Sequence, residues 1–183
     1  VNHDYDINRK MKDMRGMKIR RSRAFTGSAA VAAALVLGGC GDDPVDVTAT
    51  YEVIEETTFA ASLGVDLDAM TRTETGVYWR DLVVGSGTAA TFGTTPTVTY
   101  TVWLTNGTEV DSGTFPFLMG NNRVISGFED GLNNTLVGGT RLMVIPPNRG
   151  YGAQPQTDQF GNVTIPGGSV LIFEVTVDEV ATP

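Results

Sequence analysis

Three stretches hold most of the side chains that could act on a ligand: "VISGFEDGL" (124–132), "MVIPPNRGYG" (143–152) and "IPGGSVLIFEV" (165–175). Each sets aromatic and branched apolar residues beside Gly or Pro turns. None offers a nucleophile next to a general base. The chain has a single histidine, His3, and a single cysteine, Cys40. What these stretches can supply is non-covalent: apolar contact, backbone N–H groups and a phenol hydroxyl.

Charge narrows the partners. Residues 1–39 carry a net +5 and the remainder −13, which gives the overall −8. An acidic body repels phosphates, so nucleic acid is excluded as a partner. One cysteine allows no intrachain disulfide. Asp66 and Asp68 are too isolated for a calcium loop, and "GSG" before "TAAT" lacks the third glycine of a dinucleotide fingerprint. No cofactor or metal is expected.

The N-terminal part reads as an address. "MKIRRSR" from Met17 is a basic lead, followed by an Ala-rich run to Gly39. That run is shorter than the about 20 residues a spanning helix needs and suits a signal peptide over 17–39. "LGGC" (37–40) resembles the lipobox of bacterial lipoproteins. The resemblance implies lipidation at Cys40, with cleavage before it, and an exported, membrane-anchored protein on the periplasmic or cell-surface side. Two or more acyl chains hold a protein stably. Residues 1–16 form an upstream segment without a structural reading.

The elements that must position the aromatic residues follow from periodicity. Residues 40–74 read as an acidic tether and extension, in which 51–73 fits either a short strand or a helix. From Thr75 the pattern becomes β-rich. Strands are expected in "TGVYWRDLVVGSG", "TPTVTYTVWL" (95–104), "GGTRLMVIPP" and "GSVLIFEVTVDEV". Asn106-Gly107 is a hairpin turn, and Pro116 makes "TFPFLMG" an edge or irregular strand. Ser126 and Glu129 have capping-box spacing, which predicts a short helix over 127–133. Arg141 and Arg149 read as solvated. One short helix among about five strands is an α+β fold with the helix packed on an antiparallel sheet.

With the elements in order, residues 75–183 resemble the FKBP-type peptidyl-prolyl cis-trans isomerases. The matching segments are "VVGSG", "VTYTVWLTNGTEVDSG", "FPFLMGNNRVISGFEDGL", "VGGTRLMVIPPNRGYG" and "IPGGSVLIFEV". The resemblance implies an antiparallel sheet wrapped around one short helix, with a shallow apolar pocket. Carried over position by position, the pocket comprises Tyr100, Asp111, Phe115, Val124, Ile125, Phe128, Tyr151 and Phe173, with Val110 and Ile165 contacting substrate. Phe128 stands on the pocket floor, where many members have Trp. The backbone N–H of Ile125 and the hydroxyl of Tyr151 are the implied hydrogen-bond donors to a prolyl segment. The chain departs from the family at Val110, where Phe is usual, in the short segment from Asp111 to Phe115, and in the long loop after Tyr151.

The implied activity needs no reactive group. Rotation about a peptide bond meets a barrier of about 18–20 kcal/mol from lost amide resonance. A site complementary to the twisted amide lowers that barrier by differential binding. The expected partners are proline-containing polypeptides, with macrolide immunosuppressant-type ligands for the same pocket. The expected role is folding of exported proteins. The alternative is a non-catalytic binding module of the same fold on a membrane-anchored lipoprotein.

Overall fold

The computed structural model describes residues 50–181. Strands β1 (Thr71–Arg72), β2 (Tyr78–Val83), β3 (Thr95–Leu104), β4 (Glu109–Pro116), β5 (Thr140–Ile145) and β8 (Leu171–Ala181) form one sheet. Its order is β1-β2-β5-β8-β3-β4, antiparallel throughout. Strands β6 (Gln156–Thr157) and β7 (Val163–Ile165) form a separate hairpin. Helix α1 (Ser126–Leu132) packs on the sheet. This is the α+β fold expected.

Alternation builds the main core. Val98, Tyr100 and Val102 of β3 face Phe173, Val175 and Val177 of β8, and all are buried with Phe128 and Leu132 of α1. Helix α1 carries two glycines in seven residues, each costing about 1 kcal/mol of helix propensity. Close approach to β5 explains them. A Cβ on Gly127 would lie 2.4 Å from Ile145 Cγ2, and one on Gly131 would lie 2.5 Å from Met143 Sδ. The helix therefore rests almost directly on the strand, which fixes the height of Phe128 above the sheet.

The opposite face of the sheet is covered by the extension. Residues 51–73 form three single 3-10 turns and β1 rather than one strand or helix. Ile54 is 3% exposed and packs with Tyr78, Leu142, Val144, Val170 and Ile172, flanked by Phe59, Leu63, Val65, Leu67 and Met70. Burial on both faces is why "RLMVI" in β5 reads as a continuous apolar run with Arg at its head. Glu52 ties the extension to the loop before β8: its N–H donates to Gly168 O and its carboxylate accepts from Val170 N–H at 2.7 Å.

The expected hairpin turn at Asn106-Gly107 joins β3 to β4, with positive φ at Gly107. Three local expectations differ from what forms. The capping box is absent. Ile125 is the N-cap, Ser126 Oγ reaches back to Arg149 O, and the buried Glu129 carboxylate accepts from Gly120 N–H at 2.9 Å instead. Arg141 is not solvated but 3% exposed. Its guanidinium donates to both carboxylate oxygens of Asp81 and to the carbonyls of Gly131 and Asn133, and it lies 3.8 Å from the Trp79 ring centroid. A cation on the last carbonyls of a helix also meets the favourable end of its dipole. Arg149 is likewise engaged, ion-paired with Asp130.

Candidate functional site

Positions spread from residue 100 to residue 173 meet in the main core, on the face of the sheet that carries α1. Tyr100, Phe128, Ile165 and Phe173 are buried there, and Val110, Phe115, Val124, Ile125 and Tyr151 pack against them with part of each side chain in solvent. Nine of the ten expected pocket positions thus share one cluster. The tenth, Asp111, is joined to it through a hydrogen bond.

The aromatic rings form a connected set. Phe128 of α1 stands edge-on to Phe173 of β8, with centroids 5.3 Å apart, and Tyr100 stands edge-on to Phe115 at 5.4 Å. Such edge-to-face pairs suit the ring quadrupoles. Phe117 belongs here too, 5.7 Å from Phe128 and 5.5 Å from Phe115. It was not among the expected residues, although its spacing of two from Phe115 along an extended segment marks it for the same face.

Strand β4 shows how two adjacent residues serve one site. Asp111, Gly113 and Phe115 pair with Val102, Tyr100 and Val98, so they share the inner face. Strict alternation would turn Val110 away. Instead the register shifts between Val102 and Trp103, whose partner is Glu109, leaving Val110 as the extra residue of a β-bulge. A bulge re-aims side chains, and Val110 packs against the same core cluster as Tyr100.

The polar groups sit at the edge of the rings. Tyr100 donates its hydroxyl hydrogen to Asp111 Oδ2 at 2.6 Å. Burial pushes the Tyr100 phenol well above the usual tyrosine value, and the Asp111 hydrogen bond and charge push it further. Tyr151 is also raised, first by burial and then by the charge of Asp111. Both phenols therefore stay protonated, and therefore donors, through neutral and mildly alkaline pH. Two donors here make no hydrogen bond among the described residues: the Ile125 N–H and the Tyr151 hydroxyl. Nor do any three His, Cys, Asp or Glu side chains among the described residues converge to hold a metal.

A family model for FKBP-type peptidyl-prolyl cis-trans isomerases matches residues 87–178, half of the chain. The chain belongs to this family. An FK506-binding protein of Neisseria meningitidis serogroup B is 39% identical over 105 residues, which are 55% of this chain and 92% of that protein. FK506-binding protein 3 of Candida albicans is 36% identical over 104 residues, and there this isomerase spans only 23% of its relative. Among solved structures, AtFKBP13 superposes with a TM-score of 0.56 at 30% identity, covering 61% of this chain and 98% of its own. FkpA from Escherichia coli superposes with a TM-score of 0.53 at 29% identity, covering 62% of this chain and 52% of its own. The isomerase is thus an FKBP-type enzyme with a family fold, and the family binds proline-containing peptides and FK506-type ligands. Cys40 and the signal-like segment lie outside the described residues.

Proposed function

We propose that this isomerase is exported, is held at a membrane through lipidated Cys40, and assists the folding of exported proteins by turning X–Pro bonds at the aromatic cluster. The observation that carries the site assignment is a pair of donors at the rim of that cluster, the Ile125 N–H and the Tyr151 hydroxyl, neither of which bonds another described residue. A donor open to a ligand next to apolar surface suits one that brings a carbonyl and a ring together, as a prolyl segment does.

In this reading the proline ring sits against Phe128 and Phe173. Tyr100, Phe115, Val110 and Ile165 form the walls. Val124 supports Ile125, whose N–H takes a carbonyl of the bound segment. Tyr151 takes a second carbonyl. Asp111 holds Tyr100 in place. The twisted amide has less charge separation than the planar one, so apolar walls favour it over the ground state. No bond to the substrate forms or breaks, consistent with a set of rings and donors and no nucleophile. A macrolide of the FK506 type is expected to occupy the same cluster.

The location rests on the basic lead, the apolar run and "LGGC". No helix of the described residues is long and apolar enough to cross a membrane. A proline-limited refolding assay with the full chain tests the enzyme, and mass spectrometry of the native protein tests the anchor. Refolding no faster than the uncatalysed rate, with peptide still bound, selects the binding-module reading. Cys40 free of acyl groups removes the anchor.

A further inference from the structure

At one point the extension does more than cover the sheet. Thr50, Tyr51 and Glu52 lie across the turn that leads into β8. A Cβ on Gly168 would sit 2.5 Å from Thr50 O, so the two backbones touch there. Glu52 N–H donates to Gly168 O at 2.9 Å. The Glu52 carboxylate accepts from Val170 N–H at 2.7 Å and from Thr105 Oγ1 at 3.4 Å. One residue thus holds the turn by its backbone and by its side chain.

The same turn supports the candidate site. Gly168 N–H donates to Gly152 O at 2.7 Å, and Gly152 N–H donates to Pro147 O at 2.8 Å. Gly152 follows Tyr151 directly in the chain, so the tyrosine's neighbour is clamped from both sides. The Tyr51 phenol closes over it: a Cβ on Gly152 would lie 3.7 Å from Tyr51 Oη. The turn itself reads "PGGSV" (166–170), with two adjacent glycines. Glycine gives up the most backbone freedom on ordering, so such a turn keeps one shape only if something fixes it. Ser169 Oγ donates to Pro166 O within the turn, and Glu52 adds two bonds from outside it.

We infer that Glu52 is a positioning residue for the Tyr151 hydroxyl. It fixes the Gly168 turn, the turn fixes Gly152, and Gly152 sets where Tyr151 presents its donor. This rests on the proposed site, in which that hydroxyl takes a carbonyl of the substrate. Glu52 lies before residues 87–178 that match the family, so the support comes from outside the matched segment. A donor displaced from its productive position loses rate even when the displacement starts far from the reacting bond.

The test is a double-mutant cycle in the full chain, read as kcat/KM on a prolyl tetrapeptide at a temperature where melting curves show each variant folded. Glu52→Ala leaves Val170 N–H without its acceptor. The expected result is a loss of about threefold, inside the about two- to tenfold expected of Tyr151→Phe. Glu52→Gln keeps an acceptor oxygen and should restore most of the activity. With Tyr151→Phe already present, Glu52→Ala should cost nothing further, because the donor it positions is gone. If Glu52→Ala does not fold, Glu52→Asp, whose carboxylate stops one methylene short, runs the same cycle. Full activity of the Glu52 variant beside an impaired Tyr151→Phe overturns the inference and leaves the site assignment standing. So do losses that multiply in the double variant, or a Glu52→Gln as impaired as Glu52→Ala. Full activity of a folded Tyr151→Phe instead removes Tyr151 from the site, and the inference with it.

Discussion

The Tyr100 hydroxyl donates to Asp111 Oδ2 at 2.6 Å across the β3–β4 pair, two residues out of register: Tyr100 lies opposite Gly113, and Asp111 opposite Val102. The glycine leaves room over the ring, where a Cβ would sit 3.5 Å from Tyr100 Cε1. The bond spans a bulged edge strand and locks the phenol beside the aromatic cluster.

The raised phenols of Tyr100 and Tyr151 set an alkaline limit. In the unfolded chain each ionises near about pH 10. In the folded chain each holds its proton to higher pH, so the unfolded state loses protons first. Their stabilising contribution is complete below about pH 10 and is lost as pH rises through the folded values. Melting temperature should fall above that point, and Tyr100→Phe should make the fall shallower. An identical alkaline slope in the variant would falsify this.

Tyr151→Phe keeps the ring and removes one donor. The expected loss is about 0.5–1.5 kcal/mol of transition-state or ligand stabilisation, with the fold unchanged. Tetrapeptide isomerisation at neutral pH reads it. A folded variant of full activity would mean that the hydroxyl does not touch substrate.

Val110→Phe should raise kcat/KM, since a ring at the bulge encloses the proline more fully than Val does. Overpacking is the opposing effect, at about 1–3 kcal/mol. The comparison needs a melting curve beside the isomerisation assay. A stable variant with equal or lower activity would show that this wall is not limiting.

Arg141→Ala should destabilise the isomerase by about 3–5 kcal/mol, because it strands Asp81 and the carbonyls of Gly131 and Asn133. Urea denaturation measures it. A change within error would mean that water replaces the guanidinium at no net cost.

Ile54→Ala should cost about 2–5 kcal/mol although Ile54 lies outside residues 87–178 that match the family. Unfolding should remain a single transition. An unaffected midpoint would show that the extension adds little to the sheet it covers.

Much of this protein was legible from local pattern. Strand β3 spans 95–104 as its Thr/Val/Tyr alternation predicts, and the edge strand expected over "TFPFLMG" instead runs from Glu109 and stops at Pro116. Side-chain period is a property of neighbours in sequence, so it survives without knowledge of the fold. The order of motifs likewise sufficed to gather Tyr100, Phe115, Phe128 and Phe173. The placement of Val110 was different. Alternation puts it opposite Asp111, and only the β3–β4 register reveals the bulge that turns both to one side. Arg141 and Asp81 are 60 residues apart, and nothing near either one announces the other. Residues 51–73 have no clean period because they conform to a surface already made by β2, β5 and β8. Glu129 has capping-box spacing, yet its carboxylate serves Gly120 because the helix start is held by Arg149 O and the β4–α1 loop. Local chemistry determined the elements. Which buried face, charge or N–H each side chain satisfies was decided by contacts that exist only once distant segments pack, because burial makes an unmet polar group costly and leaves few partners within reach.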